Sequence, residues 1–109
     1  GVLKDMTAGT TKEFCIRVRR RTSTGTEPVS LSTSHHFYIA LSKDRDVTTS
    51  PDLELFLTPQ NEASDVPGQI STEQSIGLHG GYFYIINWLL PNGTHKTIDK
   101  GIIKINKPV

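Results

Sequence analysis

The sequence predicts an all-β domain, an antiparallel sandwich of about seven short strands. Three observations carry that expectation. Thirteen Thr and ten Ile stand against three Ala, a balance that favours strands over helices. Several short stretches alternate apolar and polar residues with a period of two. Nine Gly and six Pro separate those stretches, and Asn92-Gly93 lies between two of them as a strong hairpin signal. A small barrel of the oligonucleotide-binding type is the alternative within the same class.

Residues 1–8 read as an approach segment outside the sheet, followed by a turn at Ala8-Gly9-Thr10. Residues 11–20 alternate, with Phe14, Ile16 and Val18 on one face and Glu13, Cys15, Arg17 and Arg19 on the other. Residues 22–28 read as a polar loop around Gly25, and residues 28–31 lead back to the core. A second strand is expected over 35–41, with Phe37, Ile39 and Leu41 on one face and His36, Tyr38 and Ala40 on the other. After a charged connection, Leu53, Leu55 and Leu57 alternate with Glu54, Phe56 and Thr58 in a third strand that Pro59 stops. Residues 60–68 read as a loop, 69–72 as a short strand, and 75–78 as one turn tucked against the core.

Residues 82–90 are apolar on both faces: Tyr82, Tyr84, Ile86, Trp88 and Leu90 on one, Phe83, Ile85 and Leu89 on the other. Such a strand lies centrally in its sheet or beneath neighbouring chain, and Trp88 is expected in the core. The return strand, 95–106, carries Gly101 as the expected site of a bulge, and Pro108 ends it.

A chain of 109 residues and 12.1 kDa is one domain's worth. It contains no apolar run near the roughly 20 residues of a helical membrane span, and no stretch reads as a signal peptide. The single Cys15 excludes an internal disulfide and a multi-cysteine zinc site. Neither membrane nor small-molecule partners are expected.

The densest charge is Arg17, Arg19, Arg20 and Arg21. Guanidinium forks suit phosphate oxygens, but outward charges on a strand also guard its edge against aggregation. A net charge of +1, with no aromatic residue interleaved among the arginines, argues against nucleic acid. Charge is nonetheless uneven. Residues 44–73 hold seven acids and one base, a net of −6, and the remainder eleven bases and four acids, a net of +7. A fold that kept these segments on different faces would be dipolar and suited to contacts with copies or partners.

His35 and His36 are adjacent, so a strand points them to opposite faces, where they cannot share a metal. His79 and His95 are isolated. Cys15 reads as a covered thiol, without the partners of a nucleophile. Asn92-Gly93-Thr94 fits a glycosylation pattern, but turn chemistry explains the same residues. The acid pairs Asp44 with Asp46 and Asp52 with Glu54 lack a calcium loop around them. No catalytic residue, cofactor site or metal site is expected, and the protein is not expected to be an enzyme.

The order of these features resembles the small immunoglobulin-like domains of tailed-phage virion proteins. The resemblance runs through Thr7-Ala8-Gly9-Thr10, the strand Phe14-Cys15-Ile16-Arg17-Val18, and Gly25-Thr26-Glu27-Pro28-Val29-Ser30-Leu31. It continues through Leu78-His79-Gly80-Gly81-Tyr82-Phe83-Tyr84 and closes with the run from Gly93-Thr94 through Thr97 to Gly101-Ile102-Ile103-Lys104-Ile105. It spans nearly the whole chain and lies in order and spacing more than in any one motif. One departure is that the helix-like stop before the glycine-tyrosine segment is reduced to residues 75–78.

The resemblance implies an immunoglobulin-like sandwich over residues 1–109 with short terminal arms, 1–8 and 107–109, free to reach neighbours. It implies a non-enzymatic virion structural protein located on the outer capsid surface. Such a capsid decoration, cement or staple protein bridges major capsid subunits and contacts copies of itself. The ending at Val109, directly after the last strand, favours this over a baseplate or tail module. An extracellular adhesive immunoglobulin-like domain is the competing class. Arg17, Arg19 and Arg20 are the expected partner contacts.

Overall fold

The computed structural model describes residues 1–108. Among them the strands are β1 (Met6–Thr7), β2 (Lys12–Arg17), β3 (Arg19–Thr22), β4 (Gly25–Pro28), β5 (His36–Ser42), β6 (Leu53–Leu57), β7 (Asp65–Ile70), β8 (Gly80–Leu89) and β9 (His95–Asn106), with one helical turn, α1 (Thr72–Ser75). Five strands form one sheet in the order β1-β9-β8-β5-β6, β2 pairs with β7 opposite it, and β3 pairs with β4 as a separate hairpin. Every pairing is antiparallel except β1 with β9. The class is all-β, as the alternation and composition predict.

The core lies between the two layers. Alternation turns Phe14 and Ile16 of β2, with Val66 and Ile70 of β7, toward Phe37, Ile39 and Leu41 of β5. Tyr82, Tyr84 and Ile86 of β8, Ile103 and Ile105 of β9, Leu55 of β6, and Leu3, Met6, Ala8, Val18 and Leu31 belong to the same core. β8 takes the central position that its two apolar faces predict, between β9 and β5. Its turn into β9 is the expected Asn-Gly hairpin. Gly93 adopts φ 86°, its N–H donates to the Leu90 carbonyl at 3.0 Å, and the Thr94 N–H donates to Asn92 Oδ1 at 2.9 Å.

Several local expectations need correction. Residues 22–28 are not simply a loop, because β3 and β4 pair from Arg19 with Pro28 to Thr22 with Gly25. The short strand expected at 69–72 begins earlier and runs through Pro67 and Gly68. Proline is tolerated there because β7 has a partner on one edge only. Gly68 is needed, since a Cβ at that position falls 2.6 Å from Phe14 Cζ and 2.7 Å from Leu57 Cδ1.

The turn expected at 75–78 starts as α1. There Ser71 Oγ accepts from Gln74 N at 3.1 Å, and Gln74 Oε1 accepts from Ser71 N at 2.9 Å. Ser75 is tucked in, while Ile76 is 69% exposed. The bulge lies not at Gly101 but beside Ile98, because Ile86 pairs with Asp99 and Asn87 with Thr97. Gly101 instead faces Tyr84, whose ring would meet an added Cβ at 3.2 Å. Trp88 is half-buried at the margin of the core, with its Nε1 donating to His35 Nδ1 at 3.0 Å.

Residues 1–8 are not a free arm. Met6 and Thr7 pair with Ile105 and Asn106, and Leu3, Met6 and Ala8 are buried. The other expected arm is described as far as Pro108, and Val109 lies outside the described residues.

The registers also fix which features share an end. The Ala8 N–H donates to the Asn106 carbonyl, and Gly9 N–H to Ser75 Oγ, so β2 starts where β9 finishes. That end carries α1 and the β5–β6 connection. The opposite end carries the β8–β9 turn and the β3–β4 hairpin, on a molecule of 47 × 26 × 26 Å.

Candidate functional site

Two surface features have the chemistry to engage a partner. The first is the β3–β4 hairpin, whose eight residues are all exposed or half-buried. Its register places Arg20 across from Glu27, and Arg20 Nε donates to Glu27 Oε1 at 3.0 Å. Arg19 and Arg21 therefore share the other face, and among the described residues neither has a carboxylate partner. Arg17, at the end of β2, donates from Nε to Asp65 Oδ1 at 3.0 Å.

Of the expected contacts Arg17, Arg19 and Arg20, only Arg19 stands without an acid, and Arg21 joins it. The Arg17–Asp65 pair also ties the basic part of the sequence to the acidic part.

The second feature is the outward face of the five-stranded sheet. Strand alternation and register order it in rows. Lys100, Ile85, Ala40 and Glu54 lie side by side across β9, β8, β5 and β6, with Ala40 wholly buried, and the next row is Thr97, Asn87, Tyr38 and Phe56. Phe56 is 71% exposed and meets the Tyr38 ring at 5.0 Å. Ile102 is 67% exposed beside half-buried Phe83. The Arg45 guanidinium lies 5.7 Å from the Phe83 ring centre, and Arg45, Val47, Phe83, Ile85 and Ile102 line a shallow depression of about 460 Å³. The sequence signalled this face only through the apolar outer side of β8. Phe56 shares its strand face with Glu54 and Thr58, and Ile102 with Lys100 and Lys104, so neither marks an apolar outer face in the sequence.

His35 and His36 face opposite ways, His35 toward Trp88 and His36 Nδ1 toward Thr58 Oγ1 at 2.9 Å. Among the described residues no three His, Cys, Asp or Glu side chains gather where they could hold a metal ion. Cys15 is half-buried beside Pro67.

Two tyrosines are held neutral. Burial pushes the Tyr84 phenol up to about 12, reinforced by its hydrogen bond to Asp99 Oδ2 at 2.9 Å. Burial, then the hydrogen bond to Glu54 Oε2 at 2.6 Å, pushes Tyr38 up to about 12 as well. A folded-state value above the unfolded 10.0 favours the neutral form. Stability from these groups is therefore complete below the unfolded value and lost as pH rises toward about 12. An alkaline titration followed by phenolate absorbance is expected to show two late-ionising tyrosines, with the unfolding midpoint falling across the same window. Ionisation of every tyrosine together at the unfolded value, in folded protein, would contradict this.

Comparison with protein-family models, with curated proteins and with solved structures returns no match to this chain. The class defined by its own features is an all-β domain with a projecting basic hairpin and a mixed apolar and charged sheet face.

Proposed function

We propose that this domain is a non-catalytic structural protein of a tailed-phage virion, a capsid decoration protein of the cement or staple type. It bridges major capsid subunits on the outer surface of the particle. The carrying observation is the β3–β4 hairpin, which stands at one end of an elongated domain with Arg19 and Arg21 free of internal acids. Those guanidinium groups suit an acidic protein surface, where planar, charge-assisted hydrogen bonds fix orientation. Each contact adds modest affinity, and many copies acting together hold the shell against internal pressure.

An immunoglobulin-like arrangement is part of this proposal, and the strand order is compatible with it. β2 and β7 oppose a sheet in which β5, β8 and β9 are neighbours, β6 extends β5, and β1 runs parallel to β9 at the edge. Tyr82, near the start of β8, has its hydroxyl bound by the His79 backbone N–H at 3.1 Å, as in the tyrosine corner of such sandwiches. The ordered motifs of the sequence point the same way.

The test is to strip the protein from particles and measure thermal or osmotic rupture. Stripped particles are expected to rupture under milder conditions, and wild-type protein to restore them where an Arg19→Glu, Arg21→Glu variant does not. Unchanged rupture, or protein found only at the tail in a few copies, overturns the decoration role. The second result leaves a tail module in its place.

A further inference from the structure

One margin of the five-stranded sheet is an open edge, and we infer that it pairs with the same edge of a second copy of this chain. β6 of one copy lies antiparallel to β6 of the other, about a two-fold axis perpendicular to the sheet at Phe56. The inference rests on the register of this sheet and does not depend on the virion reading.

β6 pairs with β5 alone, and one bond fixes the direction of its remaining backbone groups. The Asp52 N–H donates to the Leu41 carbonyl at 2.7 Å, although Leu41 is the register partner of Leu53. Two residues of one strand thus share one carbonyl of the other, the pattern of a bulge. The Leu41 carbonyl therefore points at β6, and so, at a period of two, do those of Ile39 and Phe37. Their partners Leu53, Leu55 and Leu57 direct their own N–H and C=O groups to β5. Glu54, Phe56 and Thr58 turn theirs the other way. All three are exposed, and among the described residues no backbone group meets them there.

Other margins of the molecule are guarded. β1 covers β9, Pro67 stands in β7, and arginines line β3. β6 reads Leu-Glu-Leu-Phe-Leu, with no proline, glycine or lysine, and Phe56 is 71% exposed on its outward side. On its inward side Leu53 and Leu57 are only half-buried, because two strands, β2 and β7, oppose five. A depression of about 360 Å³ opens there beside Leu57, Ala63, Val66 and Pro67. Residues 45–48 of the β5–β6 connection lie beside Phe83, Ile85 and Ile102, toward β8 and β9, and leave this margin clear.

Symmetry and charge select the register. An axis at Glu54 opposes two carboxylates, and one at Leu55 sets each carboxylate beside a phenyl ring. An axis at Phe56 pairs the two rings and sets Glu54 opposite Thr58, whose hydroxyl lies 2.9 Å from His36 Nδ1. It also gives the longest ladder of the three, about six hydrogen bonds, with Leu55 and Leu57 meeting on the inward side. Five paired residues span roughly 17 Å. So short a contact falls below the roughly 1,000 Å² of a stable interface, and the dimer forms only with rising concentration.

The first test is sedimentation velocity from about 1 µM to about 500 µM, where wild-type protein is expected to pass from monomer to dimer. Phe56→Pro removes an outward N–H that β5 does not use, and Phe56→Lys sets like charges at the axis. Each is expected to weaken the dimer roughly tenfold or more, with circular dichroism and melting temperature unchanged. The second test is disulfide trapping in a Cys15→Ser background. Opposed residues at position 56 have Cα atoms about 5.5 Å apart, within disulfide reach. Phe56→Cys is expected to cross-link on mild oxidation, and Glu54→Cys, exposed on the same face but displaced along the ladder, is not. A monomer at every concentration overturns the inference and leaves the edge to a strand of another protein. A dimer indifferent to both Phe56 changes overturns it too, as does Glu54→Cys cross-linking as readily as Phe56→Cys.

Discussion

Phe37→Ala is expected to cost about 3–5 kcal/mol, close to the whole stability of a domain this size. Phe37 is wholly buried on β5, paired with Trp88 and Leu57 on its two flanks, and its ring stacks with Trp88 at 6.4 Å. Truncation leaves a cavity lined by strands whose ladders on both sides cannot move in to fill it. Trp88→Ala is expected to cost less, about 2 kcal/mol, although tryptophan is the larger residue. Its indole is half-buried, between His35 at 5.6 Å and Lys96 at 5.9 Å, and part of its surface already faces water. Urea unfolding of both variants checks the ranking. Equal losses would return Trp88 to the core position that its sequence neighbours suggest.

That contrast shows what the chain makes legible and what it hides. Period-two alternation exposes a strand when one face is buried along its whole length, as for Phe37, Ile39 and Leu41. It says less where a strand reaches the margin of its sheet, and Trp88 lies three residues before the turn into β9. The hairpin of β3 and β4 carries Arg19-Arg20-Arg21-Thr22 against Gly25-Thr26-Glu27-Pro28, which offers no apolar face to read. β7 is masked by Pro67 and Gly68, residues that argue against a strand unless an edge and a close-packed neighbour are known.

The candidate site is hidden for a related reason. Arg17 is neutralised by Asp65, 48 residues away, and such pairings become visible only when β2 and β7 are set in register. Arg20 and Glu27 are closer in sequence, but only a hairpin places them opposite one another. The sheet face likewise becomes continuous only when β9, β8, β5 and β6 are aligned. Lys100 and Glu54 then occupy one row though 46 positions separate them in the chain.

Removal of residues 1–7 is expected to unfold the domain or lower its melting temperature by well over 10 °C, at roughly 4–8 °C per kcal/mol. A free arm would leave stability untouched. Here Leu3 and Met6 are 4% and 6% exposed, and each resembles a buried aliphatic whose loss costs about 2–5 kcal/mol. The segment is also fastened along β9 by polar contacts. Val2 N–H donates to Asp99 Oδ2 at 2.6 Å, Lys104 N–H donates to Asp5 Oδ1 at 2.9 Å, and Met6 and Thr7 pair in parallel with Ile105 and Asn106. Deletion would strip the cover from Ile105 and take from Asp99 one of its two donors, leaving Tyr84 alone. It would also expose the edge of β9 as a template for pairing with other chains. Leu3→Ala separates these contributions, because it removes only apolar contact and is expected to retain the fold with a melting temperature lower by about 10–20 °C. Thermal unfolding of the two variants beside wild type decides the matter: a full-length melting temperature after truncation would restore residues 1–8 to the role of an arm.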